Sequence, residues 1–459
     1  MATSPAEFAT ASSAPIGPAL SPAQIFALTR AREEALSRLL MAFVTSGLFF
    51  MLFPGTLLGV WNLLQISGRE SIGSISPAWL QAHGHAQVFG WVASFIMGIG
   101  FYSIPKLRGR TNSSFRAAWL CWGMWTSAVV LRWLANVYLW EWRTLLPFSA
   151  LLELAAFLVF LGAVSGHQPT EVGKEKLGTW IYVVISASMG LLAVSVANLA
   201  GCFYVAFRAA TPAFPHLFDQ RYLALMAWGF LVPFAWGFSA KWMSIFLGLK
   251  PLRPWLLLAA VAINLSGLAL TLTGAGWIGS WLFVAGSAAA IMSLRMFEPA
   301  VREAKIRGIH SSFPYFIRMA YVWLLIAAGL GVAAGRWDNS GGIWGASRHA
   351  LTVGFISLMI LSVGQRILPA FAGMRLLWST KLMFASLLLT SIGCALRVSC
   401  EVLAYQDYAA WAWHVLPPSA LLELTGLTIF AVNVAGTFIL QSSHAYKEPM
   451  VATIAGRPV

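Results

Sequence analysis

The stretch AHGHAQVFGWVASFIMGIGFYSIP occupies residues 82–105, and it is long and apolar enough to cross a bilayer. It nevertheless opens with two histidines, His83 and His85. Ionisable residues inside a membrane-spanning helix are costly, so they are candidates for function. This stretch therefore predicts a membrane protein with a polar site near one end of a helix.

A second stretch, ASRHALTVGFISLMILSVGQRILP at residues 346–369, repeats the first one at an offset of 264 residues. At this offset His85 coincides with His349, and two glycines and a proline of the first stretch also coincide with identical residues. Further along, SALLEL at 149–154 recurs at 419–424. The chain is therefore expected to contain related first and last units facing one shared site.

Composition excludes an ordinary soluble protein. Only 10% of the residues are charged and 59% are hydrophobic, whereas a soluble chain carries about 25% charged residues. The net charge of +14 would suggest a nucleic-acid partner in a soluble protein. In a membrane protein it instead reflects Lys and Arg collected in cytoplasmic loops, so we expect a lipid bilayer and no nucleic acid as partner.

Windows of about 20 apolar residues predict an all-α, polytopic membrane protein with about 12 transmembrane helices in three four-helix pseudo-repeats, the middle one degenerate. The predicted helices are 38–60, 82–105, 115–139, 145–166, 178–206, 219–247, 254–273, 277–296, 313–334, 346–369, 379–403 and 411–440. They form a single domain over residues 38–440, between a disordered cytoplasmic tail, 1–37, and a cytoplasmic C-terminal tail, 441–459.

Loop charge predicts the orientation. Lys and Arg concentrate in the N-terminal tail and in every second loop, and the loop between the seventh and eighth predicted helices has none. The positive-inside rule then puts both termini in the cytoplasm. In this orientation His83, His85 and His349 lie toward the outer face.

Paired histidines suggest a metal centre, because neutral imidazole binds haem iron, zinc and copper. His85 and His349, matched by the repeat, would offer two imidazoles at one depth, as a bis-histidine haem site requires. No Cys-x-x-Cys-His attachment motif is present, so a haem b is expected rather than a covalently bound haem. His83 and His85 are about 200° apart on a helix, which leaves His83 as a ligand of a second metal or as a structural residue.

Charged residues accompany these histidines. Arg132 and Arg397 lie near the outer ends of the third and eleventh predicted helices, where they would pair with haem propionates. Glu141 and Glu401 are alternative partners for them. Glu153 and Glu423, in the repeated SALLEL, would either relay protons or form salt bridges with these arginines inside each unit.

The HGHAQVFGW opening of the second helix, the RHALTVGF opening of the tenth and the central WGFLVPFAWGFSAKW at 228–242 resemble the NnrS family. That resemblance, over about residues 38–440, implies a haem- and copper-containing bacterial membrane protein linked to nitric oxide metabolism and nitrosative stress. More distantly, the chain is similar to subunit I of haem-copper oxidases and nitric oxide reductases. There, histidines of the second and tenth helices hold a low-spin haem, which implies this role for His85 (or His83) and His349.

The departures from the oxidase pattern limit what the resemblance implies. The sixth predicted helix has no histidine in its membrane part and the seventh has none at all, so the high-spin haem and its copper partner lack ligands. Any copper would need His83, His216 or His414. Two alternatives remain: a membrane transporter with internal repeats, and a redox subunit similar to haem-copper oxidases or nitric oxide reductases. A catalytic role is left open.

Overall fold

The computed structural model describes residues 21–107, 114–165 and 178–441. The described residues form twelve long helices. In chain order they are α1 (Ala23–Arg69), α2 (Pro77–Leu107), α3 (Phe115–Val137), α4 (Trp142–Ser165), α5 (Thr179–Arg208), α6 (His216–Phe246), α7 (Pro254–Thr273), α8 (Gly276–Leu294), α9 (Phe313–Trp337), α10 (Gly342–Phe371), α11 (Thr380–Tyr405) and α12 (Ala412–Leu440). The predicted all-α, twelve-helix fold is confirmed.

The start of α1 differs from the prediction. Helix begins at Pro22, so residues 22–37, expected to be a disordered tail, continue the first spanning helix toward the N-terminus. The reason is local, because Ser21 accepts a hydrogen bond from the backbone of Gln24 while the Gln24 side chain bonds back to Ser21. The rest of the predicted tails, residues 1–20 and 442–459, lies outside the described residues.

Eleven of these helices are long and apolar enough to cross a membrane, so the chain is a multi-pass membrane protein. The helix that falls outside this group is α3. It carries Arg116 and Arg132 together with four tryptophans, which lower its mean hydropathy. It still packs lengthwise against α4, as α7 packs against α8 and α11 against α12. The third and fourth helices of each unit thus form the same pair.

A π-helical segment interrupts the second helix of every unit. These segments are Ala86–Ala93 in α2, Leu225–Leu231 in α6 and Ala350–Ser357 in α10, and α1 has a further one, Met51–Leu57. Such wide turns are rare and occur often at functional sites. In α2 and α10 the segment directly follows His85 and His349, so both histidines precede the same deformation of the backbone.

The interior contains many buried polar side chains. Several amide side chains are fully or almost fully buried: Asn62, Asn136, Asn198, Asn264, Gln365 and Asn433. Large apolar side chains such as Phe207 and Ile439 lie on the outside instead. This distribution suits a lipid solvent, in which polar groups find partners between the helices.

Candidate functional site

His83 and His85 leave α2 in different directions, as their spacing predicts. The Nδ1 atom of His83 lies 2.9 Å from the carbonyl oxygen of Gly55 in the π-helical segment of α1. The same ring packs on Gly59, where a Cβ would lie 2.6 Å from the His83 Cε1 atom. His85 instead points to α4, where its Nε2 atom lies 2.9 Å from Oε1 of Glu153. The two histidines therefore belong to two separate clusters.

The first cluster, which we call the His349 cluster, contains His83, His349, Arg397, Glu401 and Glu423. The Nδ1 atom of His349 lies 3.0 Å from the carbonyl oxygen of Gly345 and 3.0 Å from Oε2 of Glu401. Arg397 Nε lies 3.4 Å from the same carboxylate oxygen. Both contacts of Glu401 are at ion-pair distance without the alignment of a hydrogen bond.

These contacts fix how His83 and His349 are protonated when neutral. A backbone carbonyl oxygen can only accept, so the Nδ1 atom of each ring carries the hydrogen that faces Gly55 or Gly345. The Nε2 atom of each ring then holds a lone pair. Histidines that bind a metal through one ring nitrogen usually donate the N–H of the other nitrogen to a carbonyl or carboxylate oxygen in this way.

The part of α1 that contacts His83 packs toward α11 and α12, because Val60 and Leu63 share a buried cluster with Cys400 and Ala404. His83 and the Arg397–Glu401 pair therefore lie in one region of the protein. Gln87, one turn after His83, donates hydrogen bonds to the Thr56 hydroxyl at 2.9 Å and to the Met51 carbonyl at 3.3 Å. These bonds hold α2 against the π-helical segment of α1. The geometry thus favours His83 as the partner of His349, while the sequence-based pairing of His85 with His349 stays a prediction.

The second cluster, which we call the His85 cluster, is held by a buried carboxylate. Glu153 is fully buried and its Oε2 atom accepts a hydrogen bond of 2.7 Å from Asn198 on α5. Arg132 donates to Asn198 at 3.4 Å and to the Cys202 thiol. His85 stacks on Phe89 with ring centroids 4.5 Å apart. A burial this complete is tolerable because His85 of α2 and Asn198 of α5 contact the carboxylate.

The salt bridges expected between Arg132 and Glu153 and between Arg397 and Glu423 are replaced by other contacts. Asn198 stands between Arg132 and Glu153, and no direct ion pair joins these two residues in the described part of the chain. Arg397 faces Glu401 rather than Glu423. Glu423 packs against Gly393, where a Cβ would lie 2.7 Å from the Glu423 Cγ atom. The roles of Glu153 and Glu423 in proton transfer stay predictions.

Arg132 and Arg397 each have a buried nitrogen without a hydrogen-bond partner among the described residues. These atoms are Nε of Arg132 and Nη1 of Arg397, both buried. Leaving a buried donor unpaired costs about 1–3 kcal/mol, and more when the group is charged. An anionic group placed near Arg397 would therefore find a donor that the described side chains leave open.

Asn198 and Gly55 have functions that the sequence did not reveal. Asn198 is a single amide in the apolar run LLAVSVANLAGC of α5, and an isolated polar residue in such a run was the available signal. Gly55 gave no signal, because it acts through its carbonyl oxygen. Arg348, next to His349, bonds instead to Gln220 at the start of α6.

The fold defines the class: a polytopic helical membrane protein with a fold similar to that of a haem-copper oxidase. A haem-copper terminal oxidase dimer, solved by electron cryomicroscopy, has a chain similar to this one with a TM-score of 0.67 over 88% of this chain and 84% of that chain. The sequence identity is 10%, so the likeness concerns the fold.

Sequence comparison adds little to this class. A family model described as a domain of unknown function, DUF8744, matches residues 243–435, from the end of α6 into α12. No curated protein matches the chain. The expected similarity to the oxidase subunit is therefore confirmed for the fold, and the resemblance to the NnrS family stays a prediction.

Proposed function

We propose that this protein binds a haem between α2 and α10, with His83 and His349 as its two axial ligands. The observation that carries the proposal is the shared state of these rings. Each Nδ1 atom faces a carbonyl oxygen, at 2.9 Å in His83 and at 3.0 Å in His349, which leaves each Nε2 atom free to bind a metal. His85 is less suited, because Glu153 already occupies the space at its Nε2 atom.

The residues around this pair fit a haem. Arg397 offers a buried Nη1 atom without a partner, which suits a propionate, since guanidinium pairs well with carboxylates. Glu401 sits behind His349 and would strengthen that ring as a ligand. A haem with two imidazole ligands supplies one-electron transfer when bound.

The residues do not fit a copper centre of the kind that the resemblances imply. No group of three or more His, Cys, Asp or Glu side chains in the described ranges is arranged to hold a metal ion. His216 and His414 are both exposed, at the starts of α6 and α12. We therefore propose a haem protein and derive no role for copper.

The resemblance to the NnrS family extends the proposal to nitric oxide. We infer a role in nitric oxide metabolism or the response to nitrosative stress, in a bacterial inner membrane. Growth of a strain that lacks the gene, with and without a nitric oxide donor, tests this role. Wild-type growth under nitrosative stress would contradict it without affecting the haem proposal.

The visible spectrum of the purified protein tests the haem site. We expect a sharp α-band after reduction, and we expect His83→Ala and His349→Ala each to abolish it. His414→Ala, at an exposed histidine of α12, is the matched control and should retain the band. Loss of the band in His85→Ala together with its retention in His83→Ala would support the sequence-based ligand pair of His85 and His349 instead. A colourless wild-type protein would overturn the haem function and favour a transporter.

A further inference from the structure

A separate cavity lies on the far side of the π-helical segments of α2 and α10 from His83, His85 and His349. Its volume is about 400 Å³, within the range of about 300–1,000 Å³ that is common for small-molecule sites. Its walls come from α2, α4, α5, α6 and α10 and from the segments that follow α8 and α10. Its described lining contains no histidine, cysteine or methionine, the side chains that usually serve as axial ligands of a haem.

The walls of this cavity are mostly aromatic and aliphatic. Phenylalanines of three helices line it, among them Phe157, Phe160, Phe230 and Phe234. Apolar walls of this kind favour a hydrocarbon chain over a small hydrated ion. A methylene group is about as large as a water molecule, whose share of liquid volume is about 30 Å³. A cavity of about 400 Å³ therefore has room for roughly 13 methylene groups, which suits one alkyl chain of about the length of myristate.

Four cationic side chains also line the cavity: Lys241, Arg307, Arg366 and Arg375. The lining contains no aspartate or glutamate among the described residues. Arg375 is bonded to three backbone carbonyl oxygens, of Ala372, Phe438 and Gln441. The other three cations form no ion pair in the part of the chain that the structure describes, so no described carboxylate compensates the charge at this cavity.

Arg366 is the most informative of these cations. Its Nε atom is buried without a hydrogen-bond partner. Its guanidinium lies over the rings of Phe246 and Phe313, 4.6 Å and 5.9 Å from their centroids. Lys241 lies over the Trp180 ring in the same way, at 5.2 Å. Aromatic faces position both cations, and these contacts leave their hydrogen-bonding capacity for another group.

We propose that this cavity binds a single-chain anionic amphiphile, with its alkyl chain among the phenylalanines and its anionic head at Lys241 and Arg366. Charge complementarity selects the head, and the apolar walls and the volume select one chain. A carboxylate of the fatty-acid class and a monoalkyl phosphate share this chemistry. The sequence-based orientation places this site at the cytoplasmic end, opposite the proposed haem.

Quenching of tryptophan fluorescence tests the proposal, because Trp180 and Trp242 line the cavity. The full-length protein in phosphatidylcholine nanodiscs is titrated with a brominated myristate, whose bromine quenches nearby tryptophans. We expect saturable quenching that unlabelled myristate or myristyl phosphate reverses, and the more effective competitor identifies the head group. Myristyl alcohol and myristyltrimethylammonium should compete at least tenfold less well.

Variants complete the test. Arg366→Gln and Lys241→Gln should each weaken binding at least tenfold, whereas Lys250→Gln, an exposed cation near the end of α6 outside the cavity, should leave it unchanged. Measurements on the wild-type protein can overturn the proposal without any variant, either by quenching that does not saturate or by equal competition from the alcohol. Unchanged binding in a folded Arg366→Gln variant would overturn it as well.

Discussion

The Nδ1 atom of His83 on α2 lies 2.9 Å from the carbonyl oxygen of Gly55 on α1. This contact sets the hydrogen on Nδ1 and leaves the lone pair on Nε2. Gly59, one turn further on, allows the ring to lie flat against α1, because a Cβ there would overlap it. We therefore expect Gly59→Leu to displace the His83 ring and to abolish the haem α-band. The spectrum checks this, with Gly68→Leu, at an open position of the same helix, as the control.

Glu401 is expected to tune the electronic properties of the proposed haem ligand His349. A carboxylate 3.0 Å from Nδ1 makes an imidazole a stronger donor to a metal, which stabilises the oxidised state. Glu401→Gln should therefore retain haem and raise its midpoint potential, as measured by spectroelectrochemistry. A potential equal to that of the wild type, with full haem content, would contradict this role and leave Glu401 as a partner of Arg397 alone.

Asn198 is expected to stabilise the buried carboxylate of Glu153. Removing it in Asn198→Ala takes away a hydrogen bond of 2.7 Å and should lower the free energy of unfolding by about 1–3 kcal/mol, or more if the carboxylate stays charged. Thermal unfolding in detergent measures the effect. In a Glu153→Gln background the same substitution should cost less, and an equal cost in both backgrounds would show that the two side chains act independently.

The crossing of α5 with the π-helical segment of α6 depends on Gly190. A Cβ at this position would collide with the carbonyl oxygen of Gly229. Gly190→Ala should therefore separate the two helices and reduce the yield of folded protein in size-exclusion chromatography. Gly162→Ala in α4 is the matched control, since nothing lies within 4 Å of its added methyl group. Because alanine favours a helix over glycine, we expect that control to fold as well as the wild type.

The loop after α8 should lose stability in acid. Arg295 donates to Glu298 at 2.7 Å and, together with the nearby Arg253, holds the pKa of Glu298 below its usual range. A carboxyl group with a lowered pKa stabilises the folded state above its unfolded pKa of about 4.3, and this contribution is lost as the pH falls through the folded pKa. The Tm of the wild type should therefore fall more in this acidic range than that of Glu298→Gln. Parallel curves would contradict the prediction.

Orientation in the membrane is a sequence-based prediction that labelling can test. Single cysteines replace Asn339, in the loop after α9, and Ser311, in the loop before α9, in a background without native cysteines. In intact cells, a membrane-impermeant maleimide should label the cysteine at 339 and leave the one at 311 unlabelled. The reverse pattern would invert the predicted topology and place the histidine clusters at the cytoplasmic face.

Much of the fold could be predicted because it depends on local sequence. Runs of about 20 apolar residues predicted the helices, and the repeat at an offset of 264 residues predicted that the first and last groups of helices are related. The helical segment 22–37 was missed, because its charges resemble those of a solvated tail although Ser21 and Gln24 form a capping box. The π-helical segments also gave no signal, since no residue type specifies a wide turn.

The sequence by itself determined that this chain crosses a membrane and that His83 and His85 point apart, because apolar length and helical rotation are local properties. Tertiary structure alone decided where each histidine points. The contact of His83 with Gly55 joins residues 28 positions apart, and that of His85 with Glu153 joins residues from different helices. Helix packing creates such contacts. The repeat matches His85 with His349, but packing brings His83 into the His349 cluster.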